Sequence, residues 1–240
     1  MRTCEAILKR RDSLCNGTIA LCFEKPEGFQ FKPGQFANFT LDAAIATDAD
    51  GGTRALSIAS APHEKDLMVA MRMRDTGFKR VVSALPIGAP FFLEGPFGDL
   101  TLHRDTARPA VFLAGGIGIT PFRSMIRHAT EVESAHKIFL FYSIRRFKEG
   151  AFLDELHEIQ ELNHRFKFIP TITNPDGVPH LWRGELGHIT EPMLRSWIPD
   201  FQDPIFYIAG PPGMVAGMRE MLGVAGAPDD NIRAEEFAGY

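Results

Sequence analysis

Cysteine is scarce in this sequence. The three cysteines, Cys4, Cys15 and Cys22, lie in the first tenth of the chain, and no two of them form a C-x-x-C pair. This sparse and odd count rules out a four-cysteine iron–sulfur cluster held by the chain alone. Because free thiols persist in reducing compartments, the count predicts a cytoplasmic protein.

Long hydrophobic runs and a strong charge of one sign are also lacking. No apolar stretch approaches the roughly 18 residues that a membrane-spanning helix needs. Charged residues from Arg2 to Arg11 leave no hydrophobic region for a signal peptide. The net charge of −4 and the pI of about 6.1 suggest neither nucleic acid nor an anionic membrane as partner. The eight histidines show no metal-ligand spacing, so we expect no metal.

The remaining composition is that of a globular protein, with 240 residues of which 45% are hydrophobic and 23% charged. Residues 1–106 contain short alternating runs between turn signals, which predicts an antiparallel β-barrel. A polar stretch from His103 to Pro109 follows. Residues 107–240 alternate strand and helix patterns, which predicts an α/β domain with a doubly wound parallel sheet. We therefore expect two domains that divide at 106/107.

The most informative stretch runs from Val111 to Pro121. Its apolar start suits a buried parallel strand, and the glycines that follow allow a sharp turn and the close approach of a ligand. Thr120 is predicted as the N-cap and Pro121 as the first residue of an amphipathic helix, whose N-terminus suits a phosphate. Because Pro121 stands where the dinucleotide fingerprint has its third glycine, a tight turn without a ligand is the alternative.

Four motifs, in order, carry a resemblance to a known family. They are Arg54-Ala55-Leu56-Ser57, Gly77-Phe78-Lys79-Arg80, Gly95-Pro96-Phe97-Gly98, and the glycine stretch with its partner Ala209-Gly210-Pro211-Pro212-Gly213-Met214. With a β-barrel first and an α/β domain second, the chain resembles the ferredoxin–NADP reductase superfamily over essentially its whole length. The resemblance implies FAD on the first domain, NADPH or NADH on the second, and hydride transfer at the cleft between them.

The resemblance also implies roles for individual residues. The catalytic candidates are Ser57, which would hydrogen-bond the flavin near the atom that receives hydride, Glu235 and Tyr240. The flavin-binding candidates are Arg54, Ala55, Leu56, Ser57, Met71, Arg72, Gly77, Phe78, Lys79, Arg80, Phe237 and Tyr240. The nucleotide-binding candidates are Gly115, Gly116, Ile117, Gly118, Thr120, Pro121, Ser143, Arg145, Arg146, Ala209, Gly210, Pro211 and Met214.

Three positions depart from the pattern of the family. Leu56 replaces a tyrosine that stacks on the flavin, Arg80 replaces a hydroxyl residue against the flavin phosphates, and Ala209 replaces a cysteine often found beside the nicotinamide. Near the C-terminus, Glu235 and Phe237 match the spacing of a glutamate and an aromatic residue in many relatives. Tyr240 is the alternative residue for stacking on the flavin.

The segment after the second strand of the α/β domain bears on coenzyme choice. Ser143, Arg145 and Arg146, followed by Lys148, offer a hydroxyl and cations where an NAD-selective site tends to carry an acidic residue. Such groups suit a 2′-phosphate, so the segment predicts a preference for NADPH. A solvated basic loop is the alternative, because Ser-x-Arg also occurs in relatives that accept NADH.

The resemblance implies a flavin-dependent reductase that passes hydride from NAD(P)H to FAD and then electrons to a small carrier protein or a free acceptor. One alternative is a flavin reductase that uses free flavin as a substrate. Another is an electron-transfer subunit that works only within an oxygenase or dehydrogenase complex. Hydride transfer requires no general base, which agrees with the lack of a Ser-His-Asp or paired-carboxylate pattern in the sequence.

Overall fold

The computed structural model of the protein describes residues 2–41 and 52–237, which form two six-stranded sheets. The first sheet is antiparallel and has the order β4-β3-β6-β1-β2-β5. It curls until its two edges meet at a bridge between Ile58 and Val69, which confirms the predicted barrel. Its strands are β1 (Arg2–Cys15), β2 (Thr18–Glu24), β3 (Phe36–Leu41), β4 (Thr53–Ser57), β5 (Asp66–Arg72) and β6 (Pro90–Phe97).

Strand β1 was not predicted, although it is the longest strand that the structure describes. Its first half pairs with β6, its second half pairs with β2, and the register shifts between Leu8 and Arg10. A strand that changes partners at a bulge bends there, so no single alternation of apolar and polar residues runs along it. The charged run Lys9-Arg10-Arg11-Asp12 lies at this bend, which explains why the sequence pattern conceals the strand.

The barrel core is built largely from phenylalanines. In β3 every second residue is buried, which places Ala37, Phe39 and Leu41 inside. The Phe23 ring contacts Phe39 at 5.2 Å and Phe91 at 5.0 Å between centroids. Helix α1 (Gly77–Ala84) then covers one end of this core, and the hydroxyl of Thr76 caps the helix by accepting the backbone N–H of Lys79.

The second sheet is parallel throughout and has the order β10-β9-β8-β7-β11-β12. Strands β7 and β11 are buried at every position, because helices and connecting segments cover both faces of the sheet. The predicted doubly wound α/β domain is thereby confirmed. Its strands are β7 (Ala110–Gly115), β8 (Ile138–Ile144), β9 (Phe166–Ile172), β10 (Glu185–Leu186), β11 (Ile205–Gly210) and β12 (Ile232–Glu236). Its helices are α2 (Ile119–Glu131), α3 (Leu153–Leu162), α4 (Glu191–Arg195) and α5 (Pro212–Val224).

The predicted start of α2 is wrong. Residues Gly116–Gly118 form a 3₁₀ turn that runs directly into the helix, so α2 begins at Ile119 and Gly118 is its N-cap. Thr120 lies inside the first turn, where its hydroxyl donates to the carbonyl of Ile117 at 3.0 Å. Pro121 is therefore the third helical residue. Its missing N–H costs nothing there, since the first-turn N–H groups of a helix have no partner within it.

A buried ionic cluster fixes the two sheets relative to each other. The guanidinium of Arg123, on α2, donates to both carboxylate oxygens of Glu64 at 3.0 and 3.2 Å and to both of Glu155 at 2.8 and 2.7 Å. It also donates to the carbonyl of Ala59 in the barrel. Within residues 2–41 and 52–237, no helix is long and apolar enough to cross a bilayer.

Candidate active site

A cleft of about 670 Å³ lies between the barrel and the parallel sheet, and we call it the large cleft. The barrel supplies the ends of β4 and β5 and the start of α1, while the α/β domain supplies the α2 turn and the end of β12. Its lining residues are Phe36, Arg54, Ala55, Leu56, Ser57, Ala70, Met71, Arg72, Thr76, Phe78, Lys79, Ile117, Thr120, Glu235, Glu236 and Phe237. The volume is in the range of small-molecule and cofactor sites.

Three cationic side chains lie on the barrel side of the large cleft. The guanidinium carbon of Arg54 lies 4.8 Å from the centre of the Phe78 ring, and Arg72 and Lys79 line the same cleft. Burial lowers the pKa of Lys79, and the neighbouring charges of Arg74 and Arg54 lower it further. Together with the positive N-terminus of α1, these side chains form a site for an anion.

Two flavin candidates from the sequence do not line this cleft. Gly77 is buried as the first residue of α1. Arg80 is exposed and pairs with Asp75 at 2.5 Å, because each helical residue turns its side chain by about 100° relative to the one before. Thr76 and Phe36 were missed by the sequence motifs. Thr76 is recognisable afterwards as a hydroxyl residue directly before a helix.

Two of the three catalytic candidates meet in the large cleft. Ser57 is 7% exposed at the end of β4, and Glu235 enters from β12. Burial raises the pKa of Glu235 from 4.5 to about 7, and its Oε2 atom has no hydrogen-bond partner among the described residues. A carboxyl group in this state can hold or release a proton near neutral pH. The third candidate, Tyr240, lies outside the described residues.

A second opening of about 240 Å³, the small cleft, lies at the carboxyl edge of the parallel sheet. It lies at the end of β7, from which the strands continue as β8, β9 and β10 on one side and as β11 and β12 on the other. Open α/β sheets bind ligands at such a reversal of strand order. Its lining residues are Arg72, Gly115, Gly116, Ser143, Ile144, Arg145, Thr173, His188, Ile189, Pro211, Met214 and Met218. Thr173 was missed, although it directly follows β9 at the same sheet edge.

The nucleotide candidates divide into four groups. Six of them line the small cleft: Gly115, Gly116, Ser143, Arg145, Pro211 and Met214. Ile117 and Thr120 line the large cleft instead. Arg146 is exposed and turned toward Glu149, while Pro121 is buried in α2. The other three, Gly118, Ala209 and Gly210, line neither cleft and pack against one another beside the small cleft.

Close packing within the fold, in addition to any ligand, requires glycine at Gly115, Gly118 and Gly210. A Cβ on Gly118 would stand 2.1 Å from the carbonyl oxygen of Ala209, and one on Gly115 would stand 2.3 Å from the sulfur of Met214. A Cβ on Gly210 would meet the backbone of Gly115 at 3.2 Å. The end of β7 and the turn after it thus pack closely against the end of β11 and the start of α5, which the prediction from ligand approach alone did not anticipate.

Solved structures of similar fold define the class. The chain superposes with a TM-score of 0.84 on the cytochrome P450 reductase GcoB of Amycolatopsis, at 22% identity, covering 98% of this chain and 70% of the other. For a ferredoxin NADP+ reductase from Neisseria gonorrhoeae the values are 0.81, 23%, 98% and 99%. The chain therefore has the two-domain fold of these reductases, and the fold that the predicted resemblance implies is confirmed.

Sequence comparison identifies the second half more closely. Residues 112–220 match the family described as Oxidoreductase NAD-binding domain, and this range contains every residue that lines the small cleft except Arg72. The reductase component of propane 2-monooxygenase from Rhodococcus jostii is 25% identical over 222 residues, covering 92% of this chain and 59% of the relative. One component of the Na(+)-translocating NADH-quinone reductase from Serratia proteamaculans is 28% identical over 232 residues, covering 90% and 56%. The chain thus spans less than two thirds of these relatives.

Proposed function

We propose that this chain is a flavin-dependent oxidoreductase that passes hydride from NAD(P)H to FAD and then electrons to a protein or small-molecule acceptor. The observation that carries the proposal is the junction of the clefts: Arg72 lines both the large cleft and the small cleft of the NAD-binding domain. Hydride transfer needs two ligands side by side, since the reacting atoms must approach to about 3.5 Å.

The residues of the large cleft fit FAD. Arg54 and Lys79, beside the start of α1, offer charge-assisted donors to a pyrophosphate. Leu56, Met71 and Phe237 offer apolar surface to a ring. The buried Oε2 atom of Glu235, which has no partner within residues 2–41 and 52–237, would find one in a polar ligand. The cationic donors of Arg54 and Lys79 and the carboxyl group of Glu235 both match the polar groups of a flavin dinucleotide.

The protein contributes placement and proton chemistry. FAD supplies the hydride-accepting and electron-transferring chemistry when it is bound. Ser57, held at the end of β4, would orient the flavin ring through its hydroxyl. Glu235, whose burial raises its pKa to about 7, would hold or release a proton beside the ring. Phe237 would cover one wall of the cleft, and Tyr240 is proposed to share that role.

The small cleft supports NADPH as the preferred donor. Ser143 and Arg145 line it and are proposed to bind the 2′-phosphate. Arg146, which turns toward Glu149, contributes less to this proposal than the sequence pattern suggested.

The acceptor is proposed to be a small electron-carrier protein or a free acceptor. The support is that the propane 2-monooxygenase relative is a reductase component. A cytoplasmic location is proposed from the low cysteine content.

Flavin retention tests the proposal. The purified protein should be yellow and keep FAD through a desalting column. Arg54→Gln should release FAD, whereas Arg80→Gln, which removes the same charge outside the cleft, should retain it. A colourless wild-type protein that binds flavin weakly but oxidises NAD(P)H with free flavin would contradict the proposal and support a flavin reductase. That alternative has one structural observation in its favour, the half-buried Leu56 on the cleft wall in place of a stacking ring.

A further inference from the structure

Arg72 is the last residue of β5 in the barrel, and its side chain lines both clefts. Every other residue that lines the small cleft comes from the α/β domain. The barrel therefore places one guanidinium at the side of the small cleft that faces the large cleft. The glycine turn after β7, with Gly115 and Gly116, lines the same small cleft.

The guanidinium of Arg72 is held by Glu149. Its Nη2 atom donates to Oε2 of Glu149 at 2.9 Å, while Oε1 of the same carboxylate lies 3.5 Å from Nη1 of Arg146. The Glu149 side chain is 12% exposed, so solvent screens this pair less than a surface ion pair. One carboxylate thus lies between two guanidiniums, the arrangement that a phosphate group adopts at arginines.

The backbone around Glu149 is anchored to the barrel. The N–H of Asn16 donates to the carbonyl of Lys148 at 2.8 Å, and the thiol of Cys15 donates to the carbonyl of Glu149 at 3.2 Å. The turn between β1 and β2 also joins the end of β5, because the N–H of Met73 donates to the carbonyl of Gly17 at 2.7 Å. The carboxylate is thereby fixed beside Arg72.

We propose that Glu149 is a built-in anion that competes with the nucleotide pyrophosphate for the guanidinium of Arg72. The inference rests on the proposed function. Arg72 adjoins the glycine turn, where a pyrophosphate is expected, whereas Arg145 follows β8, where the 2′-phosphate is expected. Binding of the nucleotide exchanges the carboxylate for a phosphate on the same planar donors of Arg72.

This exchange has a specific signature. In Glu149→Gln the competing charge is gone, so NADP+ and NAD+ should both bind about two- to tenfold more tightly and by the same factor, since they share the pyrophosphate. Arg72→Gln should weaken both by a similar factor. In the double variant, Glu149→Gln should add nothing to Arg72→Gln, because the carboxylate acts through the guanidinium.

The experiment is a calorimetric titration of the FAD-loaded protein with NADP+ and, separately, with NAD+. Glu158→Gln is the matched control: it removes one carboxylate from an exposed position on α3, outside both clefts, and should leave both affinities unchanged. The FAD content of each variant is measured in parallel. Loss of FAD from Arg72→Gln with unchanged nucleotide affinity would assign Arg72 to the flavin alone and overturn the inference.

Three other outcomes would also overturn the inference. Unchanged or weaker nucleotide binding by Glu149→Gln would mean that the carboxylate only supports the structure of the cleft, and it would overturn the inference without affecting the proposed function. Tightening for NADP+ but not for NAD+ would move its action to the 2′-phosphate, which also overturns it. A wild-type protein that binds neither nucleotide would overturn the proposed function together with the inference.

Discussion

The two clefts are built by different means. The large cleft is lined by side chains from both domains, and its chemistry depends on the ionisable groups of Arg54, Arg72, Lys79 and Glu235. The small cleft is lined almost entirely by one domain, and the glycines at the ends of β7 and β11 lie where an added Cβ does not fit. The large cleft should therefore be sensitive to the replacement of a polar group, and the small cleft to the addition of one methyl group.

The largest effect is expected in the large cleft, from Ser57→Ala. Loss of one positioned hydroxyl donor should slow flavin reduction by roughly ten- to a thousandfold, with little change in nucleotide affinity. Stopped-flow absorbance at saturating NADPH measures the rate. Because β4 is already anchored by β3, the fold should be retained, which circular dichroism checks. An unchanged rate would remove Ser57 from the site.

Beside the small cleft, Gly118→Ala should disrupt the packing of the turn after β7 against the end of β11. The added Cβ would meet the carbonyl of Ala209 at 2.1 Å, so overpacking should lower the free energy of unfolding by about 1–3 kcal/mol and weaken nucleotide binding. Gly217→Ala in α5 is the control, since its Cβ would meet nothing within 4 Å and a helical alanine should stabilise by up to about 1 kcal/mol. Urea titrations compare the two, and equal stability would refute the packing argument.

Arg145→Ala tests the contribution of one charged side chain to the small cleft. Removal of a charge-assisted contact to the 2′-phosphate should raise the KM for NADPH about tenfold and leave that for NADH nearly unchanged. Arg146→Ala removes the same charge one residue away, outside the cleft lining, and should change either KM less. Equal efficiency of the wild-type protein with both coenzymes would contradict the proposed preference.

The smallest effect concerns the acidic group of the large cleft. Burial raises the pKa of Glu235 from 4.5 to about 7, so the folded protein favours its neutral form. Its contribution to stability is therefore present below pH 4.5 and lost as the pH rises through 7. Glu235→Gln should remove this loss and raise the Tm relative to wild type by about two to four degrees at pH 8 but not at pH 4.5. Parallel Tm profiles of the two proteins would contradict the shifted pKa.

Whether a feature could be predicted from the sequence depends on how far apart in the chain its parts lie. The glycine turn after Val111 and its partner loop at Gly210 were recognisable, because strand, turn and helix are neighbours in the sequence. Strand β1 was not, since its pattern is split between two partners. The shifted pKa of Glu235 and the contact between Arg72 and Glu149 depend on segments far apart in the chain, so only the folded structure reveals them.

Anaerobic flavin reduction shows directly whether the two clefts hold the hydride donor and acceptor in contact. FAD-loaded protein is mixed with NADPH without oxygen in a stopped-flow instrument, and flavin absorbance is followed through a single turnover. We expect rapid loss of the absorbance of oxidised flavin, slowed when the transferred hydrogen of NADPH is replaced by deuterium. Binding of NADPH without flavin reduction would contradict that contact.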